Sequence, residues 1–345
     1  MATDNLAAFI TSVSGGSLLS VEENLGGGFV RLKTEEAERR QAKQDIRCVE
    51  DIVIELLRNA RDAHAKNIYV ASSRDQNIRT LVVIDDGDGI PEHMHKHIFD
   101  ARVTSKLETA HMDKWGIHGR GMALYSIRCN SKNSYVVASE CGKGSAISIS
   151  VDLGETPEKA DQATKPRPAK GKDGALEVGK GPHNVVRTII EFSLDCENQV
   201  RVFYGSPAEI ASALYNAPYD TFTSETALAA QPSCATSAQE LVESCKALGL
   251  ELSLRTAHRI VAGEIKSASC PLSDFLPKTE DEPVDIYRDR RGLRLSKEDV
   301  VELQDRLEAA FAPIAQRYFL TLDQEPLVRV GKDAITVRFS IQKEE

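Results

Sequence analysis

Acidic and amide side chains share one face of a segment that has helical periodicity. Glu55, Asn59 and Asp62 occupy positions i, i+4 and i+7, and apolar residues at helical spacing occupy the opposite side. Residues at these spacings project from one face of an α-helix. A carboxylate and an amide one turn apart can hold hydrated Mg²⁺ and direct a water molecule, because Mg²⁺ prefers oxygen ligands and retains several waters. The alternative interpretation is a solvated helix face without a ligand.

A second polar group, the sequence DDGDGIP, directly follows the apolar run LVVI. We predict that Asp85 ends a strand there and can accept a hydrogen bond from an exocyclic amine such as that of adenine. Gly87 and Gly89 permit tight turning and close approach of the backbone to a ligand. An ordinary turn between a strand and a helix is the alternative, because Asp-Gly is a common turn dipeptide.

The third group is the glycine-rich sequence GIHGRGMAL, in which Gly116, Gly119 and Gly121 precede a predicted helix. Backbone amides at a helix N-terminus bind phosphate with the help of the helix dipole. The spacing alone is weak evidence, and the chain contains neither a Walker A sequence nor a good dinucleotide-binding fingerprint. Lys106 and His118 are further candidate phosphate contacts, with a solvated lysine and a loop-packing histidine as the alternatives.

The elements that must position these groups follow from periodicity and turn residues. Helical periodicity extends from Thr34 to about residue 65. Strands rich in β-branched residues are predicted at NIYVAS, IRTLVVID, SYVVASE and SAISISVDL. The Pro-, Lys- and Gly-rich segment 155–183 is predicted to be a mobile loop, and NVVRTIIEFSL (184–194) a further strand. Beyond it we predict three short helices, a longer helix capped by Ser296, and two final strands joined by a turn at 331–333.

Size and composition favour a two-domain cytoplasmic protein. The chain has 345 residues, with 43 Lys+Arg against 52 Asp+Glu. One hydrophobic core rarely exceeds about 250–300 residues, so we expect two domains. The extent of the three sequence groups and of the strand at 184–194 places these domains at 1–195 and 196–345. The seven cysteines form no CxxC pair, which favours reduced thiols over a zinc site. The N-terminal sequence has no basic region before its apolar residues, and no apolar run approaches the ~18–20 residues that span a bilayer, so we expect no membrane contact.

Together, ELLRNARDA, DDGDGIP and GIHGRGMAL resemble three sequence boxes of the GHKL ATPase superfamily, which includes gyrase B, ninety-kilodalton heat-shock chaperones, histidine kinases and MutL. GPHNVVRTIIEF resembles the strand that closes that fold, and the resemblance covers about residues 34–194. It implies an α/β fold of Bergerat type, in which helices cover one face of a mixed sheet. An α+β domain at 196–345, of transducer or interaction type, is expected to follow.

The resemblance also implies a role for each matching position. Glu55 matches the general base that polarises the attacking water, Asn59 the Mg²⁺ ligand, and Asp85 the aspartate that binds the adenine amino group. The glycines of the third box match the lid loop over the triphosphate. The positions expected to bind ATP are Asn59, Asp62, Asp85, Gly87, Gly89, Ile90, Thr104, Lys106, Gly116, His118, Gly119, Arg120, Gly121 and Thr188.

The first functional hypothesis is ATP hydrolysis that requires Mg²⁺, with lid closure and formation of a homodimer on ATP binding. ARVTSK (101–106) resembles a segment of MutL and of the topoisomerase VI B subunit, and the GxxGxG spacing resembles the latter and the chaperones. The alternatives are a protein kinase of the same fold and a nucleotide-sensing module with negligible turnover. No histidine precedes residue 51, which disfavours an orthodox sensor histidine kinase.

Partner predictions concern the second half of the chain. We expect a protein partner to bind through residues 196–345. Whether a lysine from the same region completes the ATP-binding site is an open alternative. The net charge of −9 removes any general argument for nucleic-acid binding. A nucleic-acid contact would therefore be local, for example at the arginines between residues 288 and 294. The alternative interpretation of these arginines is a solvated surface without a ligand.

Overall fold

The computed structural model describes most of the chain in two compact units, Met1–Pro277 and Lys278–Glu345. The described residues are 21–33, 36–104, 111–113, 116–118, 121–159, 161–170, 176–196, 199–218, 221–222, 227–276, 297–323, 325–330 and 335–343.

The first unit combines twelve described strands with eight described α-helices. The strands are β1 (Val21–Gly26), β2 (Phe29–Leu32), β3 (Asn67–Asp75), β4 (Ile78–Asp85), β5 (Val103–Thr104), β6 (His111–Asp113), β7 (Gly116–His118), β8 (Asn133–Glu140), β9 (Gly144–Asp152), β10 (Pro168–Lys170), β11 (Leu176–Val178) and β12 (Arg201–Gly205). The helices are α1 (Glu36–Asp45), α2 (Val49–Asp62), α3 (Ala123–Cys129), α4 (Val185–Asp195), α5 (Pro207–Tyr215), α6 (Ala238–Ala247), α7 (Leu254–Val261) and α8 (Pro271–Phe275).

A mixed five-stranded sheet with the order β12-β3-β4-β9-β8 organises this unit. β12 pairs with β3 in parallel, and the other three pairs are antiparallel. β4 is central, and its last residue, Asp85, lies opposite Ile68 on β3 and Ser145 on β9. The predicted α/β class with a mixed sheet is confirmed, and the end of its central strand carries the buried aspartate.

Helices cover both faces of the sheet, whereas the sequence predicted helices on one face only. Ile68 and Val70 of β3 pack with helices α2 and α4, while Tyr69 and Ala71 pack with α5, α6 and α7. Successive side chains on a strand point to opposite faces. A strand buried on both faces therefore has a nearly continuous apolar run, such as LVVI, rather than an alternating pattern.

The expected domain boundary near residue 195 does not coincide with the division of the structure. β12 lies beyond that boundary and yet pairs with β3 through the register Arg201↔Asn67 to Gly205↔Ala71. Helices α5 to α7 contribute a second core on the same sheet. The first unit therefore extends to Pro277.

The predicted strand at 184–194 is wrong, because this segment forms helix α4. The side chain of Asn184 caps the helix by accepting a hydrogen bond from the N–H of Arg187 at 2.9 Å. Val185, Ile189 and Phe192 are buried at helical spacing against α2. Burial of this apolar stripe outweighs the strand preference of the β-branched residues.

Two helices replace the single helical segment predicted from residue 34 to about residue 65. Cys48 precedes α2 in an extended conformation, with φ −154° and ψ 169°. The N–H of Arg47 donates to the carboxylate of Asp51 at 2.9 Å. The extended residue Cys48 therefore separates α2 from α1, and α2 carries the polar face of the predicted site.

The described start of the segment 155–183 is attached to the N-terminal end of α2. Glu50 is only 1% exposed and accepts hydrogen bonds from the backbone of Lys159 and from Nε2 of Gln162, the latter at 2.5 Å. The side chain of Asn184 donates to the carbonyl groups of Asp161 and Thr164. These bonds hold residue 159 against α2 and residues 161–164 against α2 and α4, which departs from the mobile loop predicted there.

The second unit contains one long described helix and two small sheets. Helix α9 (Lys297–Arg317) is followed by strands β13 (Leu320–Leu322), β14 (Leu327–Val330), β15 (Ile335–Arg338) and β16 (Ile341–Lys343). β13 pairs with β16 and β14 with β15, all antiparallel. The predicted cap at Ser296, the arginines between 288 and 294 and the turn at 331–333 lie outside the described residues. Within the described part of the chain, no helix has the length and hydropathy needed to cross a bilayer.

Candidate functional site

A cleft of about 190 Å³ lies between helix α2 and the ends of strands β4 and β9. It combines an apolar lining with a few convergent polar groups, which is typical of small-molecule sites. The described lining residues are Phe29, Glu55, Leu56, Arg58, Asn59, Ala60, Asp62, Ala63, Val83, Asp85, Asp88, Gly89, Ile90, Ile98, Val103, Thr104, Gly121, Ala123, Leu124, Ser145 and Ile147. The cleft thus contains residues from all three sequence groups.

Helix α2 turns its polar face to the cleft, as its periodicity predicts. Glu55, Asn59 and Asp62 all line the cleft. Oε1 of Glu55 accepts a hydrogen bond from Nη1 of Arg58 at 2.5 Å. Oδ1 of Asp62 accepts two hydrogen bonds, each 3.1 Å, from the guanidinium of Arg61.

The amide of Asn59 has unused hydrogen-bonding capacity within the described part of the chain. Its Nδ2 atom is buried and has no hydrogen-bond partner there. A buried polar group without a partner is uncommon in proteins and calls for an explanation. A side chain reserved for a bound ligand gives that explanation, and the oxygen of the same amide is of the type that Mg²⁺ prefers. The residues present therefore fit the predicted magnesium site.

Asp85 is a buried carboxyl group at the end of β4. Its Oδ2 accepts a hydrogen bond from the hydroxyl of Ser145 at 2.5 Å, and its Oδ1 accepts one from the N–H of Gly87 at 2.9 Å. Burial raises the pKa of Asp85 to about 6, although the hydrogen bonds from Ser145 and Gly87 oppose the shift. The result is an acceptor fixed in position whose charge changes close to neutral pH.

The neighbouring Asp86 has a different task. Its Oδ1 accepts hydrogen bonds from the backbone N–H groups of Lys66 and Asn67, both at 2.8 Å, and its Oδ2 accepts one from the side chain of Asn67 at 2.7 Å. Asp86 is buried, but it is not among the residues that line the cleft. Of the two adjacent aspartates, Asp85 faces the cleft and Asp86 fixes the connection between α2 and β3.

The glycines of the second group are required by close contacts between backbone segments. A side chain at Gly87 would overlap the carbonyl oxygen of Ala63, and one at Gly89 would overlap that of Glu140. Gly89 also has φ +72°, a conformation that L side chains rarely adopt. Gly121, with φ +69°, would place a Cβ 2.8 Å from a carbonyl oxygen of β5. Gly89 and Gly121 line the cleft, whereas Gly87, which was also predicted to bind ATP, is not among the lining residues.

Apart from Thr188, the remaining predicted positions either line the cleft or have side chains that the structure does not describe. Ile90 lines it and donates its N–H to the hydroxyl of Ser139 at 2.7 Å. Thr104 lines it from β5. For Gly116 and His118 the structure describes only the backbone, in β7. Lys106, Gly119 and Arg120 lie outside the described residues.

The structure separates Thr188 from the predicted site. Thr188 lies on helix α4, where its hydroxyl donates to the carbonyl of Asn184 at 3.1 Å, and it is not among the lining residues. The hydroxyl beside Asp85 belongs to Ser145, which the sequence analysis missed. The turn Cys141–Gly144 between two predicted strands was the available signal, because it places Ser145 at the start of β9. Only the antiparallel register of β9 with β4 brings that serine opposite Asp85.

A comparison with known protein families matches the part of the chain that contains α2 and Asp85. A family model of histidine kinase-, DNA gyrase B- and HSP90-like ATPases matches residues 46–176. Residues 46–176 belong to the GHKL superfamily of ATPases. This segment contains helix α2, the Asp85 strand end and strand β9, so the described polar residues of the cleft lie within the GHKL region.

Individual relatives either match a shorter part of the chain or have a low structural similarity to it. The DNA mismatch repair protein MutL of Parabacteroides distasonis is 42% identical over 79 residues, which is 22% of this chain and 12% of that protein. The crystal structure of the N-terminal domain of a DNA repair protein matches 50% of this chain and 53% of its own, with 17% identity and a TM-score of 0.28. Full-length ShkA in complex with AMPPNP matches 81% of this chain and 64% of its own, with 16% identity and a TM-score of 0.23. The matched part is thus a small share of the MutL relative, and the two structures do not bear on the chemistry of the cleft.

Proposed function

We propose that this GHKL domain binds ATP with Mg²⁺ in the cleft and hydrolyses it. The observation that carries the proposal is the juxtaposition of Glu55 and Asn59 on α2 with Asp85 at the end of β4 in one cleft. These residues come from separate sequence groups, and each supplies one function that the reaction needs. Phosphoryl transfer requires mainly positioning and electrostatic stabilisation, so few side chains suffice.

Asp85 is the recognition residue for the adenine base. Its fixed carboxylate accepts an N–H of the exocyclic amine, and Ser145 and Gly87 hold its two oxygens in place. Apolar side chains such as Ile90 and Ile147 line the cleft around it. A flat aromatic base with one amino group fits this combination of an apolar wall and a buried carboxylate acceptor.

Glu55 is the general base. Its carboxylate orients a water molecule and accepts its proton as the oxygen attacks the terminal phosphorus, and the bond to the bridging oxygen of ADP breaks. Asn59 would hold Mg²⁺, which neutralises phosphate charge when bound. The position of Glu55 one helical turn before Asn59 places the base next to the metal ligand.

The proposal extends to assembly. ATP closes the lid formed by residues near 101–121 and promotes formation of a homodimer, and residues 196–345 bind a protein partner. Sedimentation of the full chain with and without Mg²⁺ and a non-hydrolysable ATP analogue tests the dimer. An unchanged molecular mass at saturating analogue would remove dimer formation from the proposal.

The decisive experiment on the reaction compares wild type with Glu55→Ala. We expect the variant to bind ATP with an affinity within about threefold of wild type and to lose phosphate release by about 10³-fold, because only the base is removed. Phosphate release at the wild-type rate would show that Glu55 is not the base.

The same assay separates hydrolysis from phosphoryl transfer to protein. The chain is incubated with ATP labelled at the γ-phosphate, alone and with cell extract. Free labelled phosphate supports the ATPase. Label found on a protein instead identifies a kinase of the same fold, and binding without any release or transfer identifies a nucleotide sensor.

A further inference from the structure

Arg58 contributes a positive charge to the candidate cleft. Among the lining residues that the structure describes, four carboxylates, Glu55, Asp62, Asp85 and Asp88, face one guanidinium, that of Arg58. A triphosphate would enter this cleft as a polyanion. Its terminal phosphates would lie next to Glu55 if Glu55 is the base, so the charge of that carboxylate must be compensated at close range.

The contact between Arg58 and Glu55 has the geometry for such compensation. The two residues are one turn apart on α2, and Nη1 of Arg58 lies 2.5 Å from Oε1 of Glu55. The side chain of Arg58 is 3% exposed and that of Glu55 is 20% exposed. A buried charge is tolerated when it is paired and hydrogen-bonded, and the loss of one partner is strongly destabilising. The burial of Arg58 therefore favours the arrangement in which the pair stays intact.

An exposed pair in the second unit provides a contrast. Arg306 and Glu302 also lie one helical turn apart, with 2.5 Å between Nη2 and Oε1, but their side chains are 77% and 62% exposed. Water screens such a pair, and its energetic contribution is small. The difference between the two pairs lies in burial and in the cleft beside Glu55, rather than in distance.

We propose that Arg58 is a positioning residue that acts through Glu55. Its guanidinium holds the carboxylate of Glu55 in place and compensates its negative charge, so that the cleft accepts the terminal phosphates of a nucleoside triphosphate beside the base. This inference rests on the proposed function. It predicts that Arg58 affects recognition of phosphates but not recognition of the base and sugar.

A double-mutant cycle on ligand binding tests the inference without any need for turnover. The variants are Arg58→Met, Glu55→Gln, the double variant, and Arg58→Lys, with Arg306→Met as the control. Calorimetry measures the affinity for AMPPNP with Mg²⁺ and, separately, for adenosine. We expect Arg58→Met to weaken AMPPNP binding about tenfold and to leave adenosine binding within about twofold of wild type, because adenosine carries no phosphate.

The double variant distinguishes action through Glu55 from direct contact with phosphate. In the Glu55→Gln background the carboxylate is already neutral, so the added Arg58→Met change should alter AMPPNP affinity by less than about twofold. Arg58→Lys should lose much less AMPPNP affinity than Arg58→Met, because lysine keeps the positive charge. The control Arg306→Met should bind both ligands like wild type.

Three outcomes would overturn the inference. A tenfold loss of AMPPNP affinity that persists in the Glu55→Gln background would mean that Arg58 contacts phosphate directly. Equal losses for AMPPNP and adenosine would indicate a purely structural role for Arg58, and wild-type affinity of Arg58→Met would indicate that Arg58 has no role in binding.

If Arg58→Met alone does not fold, the double variant and Arg58→Lys decide, because neutralising both partners of a buried pair is often tolerated. Failure of wild type to bind AMPPNP would refute the proposed function itself, and with it this inference.

Discussion

The charge of Asp85 should make nucleotide affinity depend on pH. Burial raises the pKa of this carboxyl to about 6, against the hydrogen bonds from Ser145 and Gly87. The ionised carboxylate is the stronger acceptor for the adenine amine, because protonation turns one of its oxygens into a donor and removes the negative charge. Below the pKa the affinity should therefore fall about tenfold for each unit of pH. We expect ATP to bind about tenfold more weakly at about pH 5 than at about pH 8.

Asp85→Asn should remove this dependence and weaken binding at every pH. Both oxygens of Asp85 accept hydrogen bonds, from Ser145 and from Gly87. An amide places its NH₂ group against one of these donors, which costs about 1–3 kcal/mol when the site is buried. Calorimetry with an ATP analogue between about pH 5 and pH 8 should give a sloping affinity for wild type and a flat, weaker one for the variant.

Asp85 should also affect the stability of the fold in a defined direction. Its pKa is raised from 3.8 to about 6, so the folded state binds the proton more tightly than the unfolded chain does. The stabilising contribution is complete below the unfolded pKa and is lost as pH rises through about 6. A shift of this size corresponds to about 3 kcal/mol at most. Wild type should thus lose stability relative to Asp85→Asn between about pH 4 and pH 6 in denaturant titrations. Wild-type affinity and relative stability that both stay flat over this interval would refute the reasoning.

Two further pairs of variants test the edge and the polar wall of the cleft. Gly89→Ala should destabilise the fold by about 2–4 kcal/mol, because the methyl group overlaps the carbonyl of Glu140 at positive φ. Gly142→Ala, at φ +74° with open space around it, should cost only about 1 kcal/mol in the same denaturation assay; equal losses would contradict the close contact. Ser145→Ala should move the pH at which affinity falls upward, because it removes a hydrogen bond that lowers the pKa of Asp85. Thr188→Val should bind nucleotide like wild type, and a loss there would restore Thr188 to the site.

The local features of the site could be predicted from the sequence because they depend on short-range periodicity. Glu55, Asn59 and Asp62 share a helix face whatever the rest of the fold does. Asp85 follows a run of β-branched residues that ends at a glycine turn, so its place at a strand end was also predictable. The GHKL resemblance rested on these local groups, and the family match to residues 46–176 confirms it.

A segment whose sequence fits both a strand and a helix could not be assigned in the same way. NVVRTIIEFSL contains β-branched residues that favour a strand, and it also contains apolar residues at helical spacing together with a capping asparagine. Packing of Ile189 and Phe192 against α2 decided for the helix. Thr188 was placed in the cleft by the strand interpretation, and it lies outside the cleft for the same reason.

The amino-acid sequence by itself determined which side chains are the candidates for the proposed chemistry: a carboxylate and an amide on one helix face, an aspartate at a strand end, and a glycine-rich segment. Only the tertiary structure decided what stands next to them. The pairing of β4 with β9 places Ser145 beside Asp85, β12 extends the sheet next to β3, and helices α5 to α7 cover the second face of the sheet. These contacts join residues far apart in the chain. They depend on strand register and on the burial of apolar faces, and short-range periodicity encodes neither.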